Sequence, residues 1–93
     1  MAVFNLGQIA ITAGMRDEMN QSSDFERFVR KSFSRHATRD WGEMCEEDKA
    51  YNDDALANGG RLFSSYTYNE DTKIWIITEW DRSATTILFP EEY

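Results

Sequence analysis

The sequence has only one cysteine, Cys45, one histidine, His36, and one proline, Pro90. A single cysteine cannot form an intramolecular disulfide, and such usage is typical of proteins that stay in a reducing compartment. No apolar run approaches the roughly 20 residues that a membrane span needs, and no basic-then-apolar signal segment stands at the N-terminus. We therefore expect a cytoplasmic protein that does not enter a membrane.

The scarcity of histidine and cysteine also bears on chemistry. One His without a spaced His or Cys partner is a weak metal-ligand pattern, so we expect no metal and no cofactor. An open alternative is a small hydrolase in which His36 is the general base, oriented by Asp40 or paired with Cys45. The simpler interpretation is a packed, helix-terminal His36 and a structural thiol at Cys45, because no glycine-rich oxyanion turn adjoins the cysteine. We favour this interpretation and predict a protein that is not an enzyme.

The chain has 93 residues, of which 41% are hydrophobic and 14% aromatic. That length suits one domain, residues 1–93, and the apolar fraction is typical of a folding sequence with one core.

The last third of the chain predicts a three-stranded antiparallel meander. Three β-rich runs, residues 61–68, 72–80 and 84–89, are separated by polar turns at residues 69–71 and 81–83. The second run contains Ile74-Trp75-Ile76-Ile77 and is apolar on both faces, which places it at the centre of the sheet. One face should pack on helices. The N-terminal segment, the C-terminal tail or a second subunit should cover the other.

The first two thirds predict a short strand and up to three helices. Residues 8–12 alternate and could add a strand to the meander, and residues 13–20 fit one or two helical turns. Ser23 and Glu26 form a capping-box pattern, which predicts a helix over residues 24–35. A further helix, Glu46–Asn58, should end at the Gly59-Gly60 pair and turn Tyr51 and Ala55 inward. The fold class is therefore α+β: a three- to four-stranded antiparallel sheet with two to three helices packed on one face.

Charge is distributed unevenly along the chain, whose net charge is −7. Residues 1–39 hold six basic and four acidic residues, a net charge of +2, whereas residues 40–93 hold four basic and thirteen acidic residues, a net charge of −9. The acidic part would be repelled by nucleic acids and anionic membranes, so neither is expected as a direct partner. It would be attracted to basic surfaces, including those that normally hold nucleic acid.

Residues 40–54, called the acidic segment below, concentrate this charge. They contain seven acids opposed only by Lys49: Asp40, Glu43, Glu46, Glu47, Asp48, Asp53 and Asp54. One interpretation is a solvated helix face that keeps the protein soluble. The other is a surface that imitates a phosphate array, because neighbouring helix positions place carboxylates about 5–6 Å apart. Trp41 would then be an exposed aromatic anchor of the kind enriched at interface centres.

Many short segments resemble a family of small plasmid-related proteins found on plasmids and other mobile genetic elements. They include Asp40-Trp41-Gly42-Glu43 and lie at residues 4–9, 35–36, 40–43, 47–48, 52, 55–56, 60–62, 65–66, 72–79, 81–83, 85–88 and 90–93. The resemblance covers nearly the whole chain. The chain departs from the family pattern at Ala13-Gly14-Met15, where Pro-Gly-Ala is usual, and at Trp80, where a small residue is common. The resemblance implies a mobile-element setting and not an activity.

These observations together predict a non-catalytic inhibitor. The acidic segment, with Trp41, would dock on the basic nucleic-acid-binding groove of a host defence nuclease complex, in the manner of an anti-CRISPR or anti-restriction protein that mimics nucleic acid. The alternative from a different class is a homodimeric accessory protein for plasmid maintenance, which would pair through the second face of the sheet.

Overall fold

The computed structural model describes residues 2–93. Its elements are, in chain order, β1 (Gln8–Ile11), α1 (Ala13–Gln21), α2 (Ser23–Ala37), α3 (Glu46–Asn58), β2 (Leu62–Asn69), β3 (Thr72–Thr78), β4 (Ala84–Leu88) and a short 3-10 turn, Pro90–Glu92. The predicted α+β class is confirmed.

The four strands form one sheet in the order β1-β4-β3-β2. Strands β2, β3 and β4 pair antiparallel, which confirms the predicted meander and the interior position of β3. The predicted N-terminal strand also exists, but β1 runs parallel to β4, with Ile9 opposite Thr85. The sheet is therefore mixed, because the long connection from β1 to the meander leaves its direction free of hairpin geometry.

Helices α1 and α2 cover one face of the sheet and form the main core with it. Seven buried residues make up this core: Met15, Phe25, Val29, Tyr66, Ile74, Ile76 and Ile87. Helix α2 begins one residue earlier than predicted, because the Ser22 hydroxyl, not that of Ser23, accepts from the Phe25 amide at 3.2 Å. The cap thus places Phe25 in the first turn, facing the sheet.

The second face of the sheet is covered within one chain. Ile77 and Leu88 on this face are buried. Trp75 beside them is half-buried, with its ring 4.8 Å from that of Phe63 and 5.8 Å from that of the C-terminal Tyr93. The C-terminal tail, one of the three covers considered above, therefore shields the apolar side of β3. The homodimer stays a prediction, and the apolar pattern that motivated it has an explanation within a single chain.

Helix α3 spans the predicted residues and ends at Gly59, whose φ of +91° and ψ of 142° form a backbone conformation that glycine adopts without a Cβ penalty. The helix packs beside β2 through Ala55, which contacts Leu62 and Trp41 in a second, smaller core. The predicted inward position of Tyr51 is wrong: 60% of this residue is exposed. Asn52 occupies the inward position instead and is 1% exposed.

Candidate functional site

The first residues of the acidic segment lie along the outer edge of β2 and form hydrogen bonds with it like a short extra strand. The Ser65 amide donates to the Trp41 carbonyl at 3.2 Å, and the Glu43 amide donates to the Ser65 carbonyl at 2.7 Å. Gly42 lies between these contacts with a φ of +78°, and a Cβ there would overlap the Ser65 carbonyl oxygen. Glycine is therefore required for the backbones to approach this closely.

Two side chains of the acidic segment complete the protection of this edge. The Asn52 side chain accepts from the Phe63 amide at 3.1 Å and donates to the Phe63 carbonyl at 2.7 Å. Glu43 Oε1 accepts from the Thr67 amide at 2.6 Å. The outward backbone amides at residues 63, 65 and 67 are thus all bonded, which closes an edge that could otherwise pair with another chain. Part of the acidic segment therefore has a structural role.

Trp41 is not an exposed anchor, so that prediction was wrong. It is 3% exposed and packs against Leu62 and Phe4. Its indole Nε1 donates to Asp53 Oδ1 at 3.1 Å. Burial of the ring removes far more apolar area from water than an exposed position would, and the indole N–H keeps a hydrogen-bond partner at the rim.

Three acids of the segment are paired with cations. Asp40 receives two hydrogen bonds from the Arg35 guanidinium, at 2.7 and 3.1 Å, and this hydrogen bonding lowers the pKa of the Asp40 carboxyl. Asp53 lies 3.7 Å from the Arg39 guanidinium, and Glu46 lies 3.8 Å from the Lys49 ammonium. Arg35 of α2, Arg39 of the following connector and Lys49 of α3 thus offset part of the negative charge of the acidic segment.

The other four acids, Glu43, Glu47, Asp48 and Asp54, are exposed. They take part in none of the ion pairs found among residues 2–93. The acidic segment also presents two separate depressions. One contains Asp40, Glu46 and Asp53 together with Arg39 and Lys49, and the other contains Glu43 and Asp48. The acids without a cation therefore lie in two places: Glu43 and Asp48 line the second depression, and Glu47 and Asp54 are exposed on α3.

The second depression is a pocket of about 450 Å³ between α3 and the sheet face that bears Trp75. Its walls include Tyr51, Phe63 and Trp75, with Glu43 and Asp48 at its acidic side. Sequence reasoning did not assign these aromatic residues to a site. The alternation of β2 and β3 does place Phe63 and Trp75 on one face, but only the position of α3 brings Tyr51 to them.

His36, the candidate general base, lies inside the protein with 0% exposure. Its Nδ1 is 2.6 Å from the Ser64 hydroxyl and its Nε2 is 2.8 Å from the Thr78 hydroxyl. Burial lowers the pKa of His36 to about 4. Both ring nitrogens are thus bonded to buried hydroxyls, whereas the Asp40 carboxylate is bonded to Arg35 and Cys45 is exposed. The structure does not assemble the predicted alternative of His36 with Asp40 or Cys45.

Within residues 2–93, no group of three or more His, Cys, Asp or Glu side chains is arranged to hold a metal ion. Over the same residues, every helix is too short or too polar to cross a membrane.

Comparison with known proteins gives no family for this chain: no family model matches it, nor does any curated protein or solved structure.

Proposed function

We propose that this protein is a non-catalytic inhibitor that binds the basic nucleic-acid-binding groove of a protein partner and excludes the nucleic acid. The partner class is a host defence nuclease complex of the CRISPR or restriction type. The contact surface is the outward side of α3 and the loop before it, where Glu43, Glu47, Asp48 and Asp54 lie. Glu46 belongs to the same surface, since its side chain is 94% exposed although its carboxylate lies 3.8 Å from the Lys49 ammonium. Trp41, which is buried, has no part in the contact.

The observation that carries this proposal is the uncompensated charge on a fixed scaffold. The four acids without a cation are exposed, and α3 is held to the sheet by the Asn52–Phe63 hydrogen bonds and by Ala55. Carboxylates on a rigid helix have little backbone freedom to lose on docking, which favours binding to a groove shaped for phosphates. A helix face that only keeps the protein soluble would not need its carboxylates on a rigid scaffold.

The electrostatics support a two-step mechanism. The net charge of −7 steers the protein toward a Lys/Arg-rich groove, and the acidic side of α3 then occupies the place of the phosphate backbone. The mobile-element setting implied by the resemblance supports a defence nuclease as the owner of that groove, because such elements are the targets of these nucleases.

The proposal is tested with a neutralised triple variant, Glu46→Gln, Glu47→Gln and Asp54→Asn. Tagged wild-type protein is used to capture partners from a nuclease-treated lysate of the source cells, and the captured complex is purified. We expect the wild-type protein to block DNA or guide-RNA binding by that complex. The triple variant should inhibit on the order of tenfold less at low salt, with a smaller difference at high salt because exposed charges are screened.

A matched control neutralises three exposed acids elsewhere, Asp17→Asn, Glu18→Gln and Glu70→Gln, and so changes the net charge equally. The control should inhibit like the wild type. The proposal fails if the two triple variants inhibit equally, or if the captured partner handles nucleic acid normally in the presence of the wild-type protein.

A further inference from the structure

The pocket between α3 and the sheet combines aromatic walls with acidic side chains. Phe63 and Trp75 project from neighbouring strands with ring centroids 4.8 Å apart, and Tyr51 of α3 lies across from them at 60% exposure. The exposed tyrosine and the two half-buried rings form the aromatic side of a pocket of about 450 Å³ that is open to solvent.

The carboxylates of this pocket are free to interact with a ligand. Asp48 is exposed and takes part in no ion pair among the described residues. Glu43 uses Oε1 to accept from the Thr67 amide, which fixes its carboxylate and leaves the second oxygen for another donor. No Lys or Arg is among the described residues that line the pocket. The pocket therefore has a negative charge and π faces, and both of these attract a cation.

The same chain uses this combination elsewhere. The Arg35 guanidinium lies over the Tyr66 ring, 4.9 Å from its centroid, while it forms two hydrogen bonds with the Asp40 carboxylate. Arg61 lies over the Tyr93 ring at 5.2 Å. At Arg35 an aromatic ring and a carboxylate thus hold a half-buried guanidinium, and the pocket contains both of these groups.

We propose that this pocket binds the side chain of an arginine presented by the protein partner. The inference rests on the proposed function, since it names the anchoring residue of the basic groove. The guanidinium would lie against Phe63, Trp75 and Tyr51 and donate to the carboxylates of Glu43 and Asp48.

Arginine fits this site better than lysine for a geometric reason. A planar guanidinium stacks on an aromatic face and still directs its N–H groups to a carboxylate, and it is less strongly hydrated than an ammonium group. A lysine would bring one compact, strongly hydrated charge and would lose its water against the aromatic walls. The pocket should therefore distinguish the two cations.

The test uses N-acetyl-arginine methylamide as the probe, with the citrulline derivative as a neutral analogue of the same shape and the lysine derivative as a second cation. The ligands are titrated into isotopically labelled protein and followed by NMR up to about 50 mM, because one anchored side chain is expected to bind in the millimolar range. We expect saturable shifts at the Trp75 indole N–H and the residue 51 amide. The arginine probe should bind at least about threefold more tightly than lysine and about tenfold more tightly than citrulline.

Three variants locate the site. Tyr51→Ala and Asp48→Asn each should weaken arginine binding about threefold to tenfold. Asp54→Asn, on the outward face of the same helix, should leave it unchanged. Tyr51, Asp48 and Asp54 are all exposed, so a well-dispersed NMR spectrum is expected for each variant. Equal binding of citrulline, equal effects of Asp48→Asn and Asp54→Asn, or the absence of a saturable shift would overturn the assignment.

Failure of this inference is distinguishable from failure of the proposed function. If the Glu46, Glu47 and Asp54 triple variant loses inhibition while Tyr51→Ala inhibits normally, the function stands and the arginine site is wrong. If the pocket binds the arginine probe but the triple variant still inhibits fully, the pocket stands and the proposed contact surface is wrong.

Discussion

The imidazole of His36 donates to the hydroxyl of Thr78 inside the core, with Nε2 2.8 Å from Oγ1. The direction follows from the neighbouring bonds. The Thr85 hydroxyl donates to the Leu6 carbonyl at 2.7 Å, so it must accept from Thr78, which lies at 2.8 Å. Thr78 has then used its only proton and accepts from His36 Nε2–H. His36 therefore carries a proton on Nε2. Because burial lowers its pKa to about 4, the ring is neutral near pH 7 and Nδ1 accepts from the Ser64 hydroxyl.

This arrangement predicts that the protein loses stability as the pH falls. His36 has a pKa of about 4 in the folded state, against an ordinary value of 6.5 in the unfolded chain. Between these two values the unfolded state therefore binds more protons than the folded state. The contribution of His36 to the free energy of unfolding is complete above pH 6.5. It falls by about 3 kcal/mol as the pH drops to 4. Urea unfolding measured across this range should show the loss.

His36→Gln is the control for the pH experiment, since glutamine does not titrate. The variant should have a lower free energy of unfolding near neutral pH and a much flatter pH dependence between 6.5 and 4. A wild-type pH dependence that persists unchanged in His36→Gln would assign the effect to the carboxylates and contradict the role given to this residue.

Removing the hydroxyl of Thr78 should destabilise the protein without changing its shape. In Thr78→Val, His36 Nε2–H loses its acceptor and Thr85 loses its donor, both inside the core. The expected loss is about 1–3 kcal/mol in the free energy of unfolding, measured by chemical denaturation. The matched control is Thr86→Val, at a half-buried position on the opposite face of the sheet, which should change stability by less than about 0.5 kcal/mol. Equal losses would show that valine is simply unfavourable in this sheet.

The Asn52 side chain should hold α3 to the edge of β2. Asn52→Ala removes two hydrogen bonds and leaves the Phe63 amide without its partner, so we expect a loss of about 2–3 kcal/mol. Hydrogen exchange at the Phe63 amide should accelerate more than exchange at amides inside the sheet. Asn58→Ala, an exposed position of the same helix, should cost less than about 1 kcal/mol. Unchanged exchange at Phe63 would contradict the role of Asn52.

Two glycines with similar positive φ angles should respond differently to alanine. Gly59 has a φ of +91° and open space around the position of a Cβ, so Gly59→Ala costs only backbone strain, about 1–3 kcal/mol. Gly42 has a φ of +78°, and a Cβ there overlaps both the Ser65 carbonyl and the Tyr66 ring. Gly42→Ala should therefore cost at least about 2 kcal/mol more than Gly59→Ala. Similar unfolding midpoints for the two variants would show that the loop at residues 41–43 can move away from β2.

The sequence predictions were most accurate where the interactions involved are local along the chain. The bounds of α3 were correct because its end is local: Gly59 follows the helix directly and takes a backbone angle that favours glycine. The meander was correct because the turns and the apolar pattern of β3 are also local. Tyr51 and Trp41 were placed wrongly, because the side of α3 that meets β2 and the contact of Trp41 with Leu62 depend on residues distant in sequence.

The sequence by itself determined the α+β class, the central position of β3 and the excess of negative charge after residue 39, since periodicity, turn residues and charge are properties of neighbouring positions. Only the tertiary structure decided which acids have a cation beside them, that Glu43 and Asn52 close the edge of β2, and that Tyr51 meets Phe63 and Trp75. Each of these contacts joins segments that chain order leaves apart, and their geometry is set by how the helix packs against the sheet.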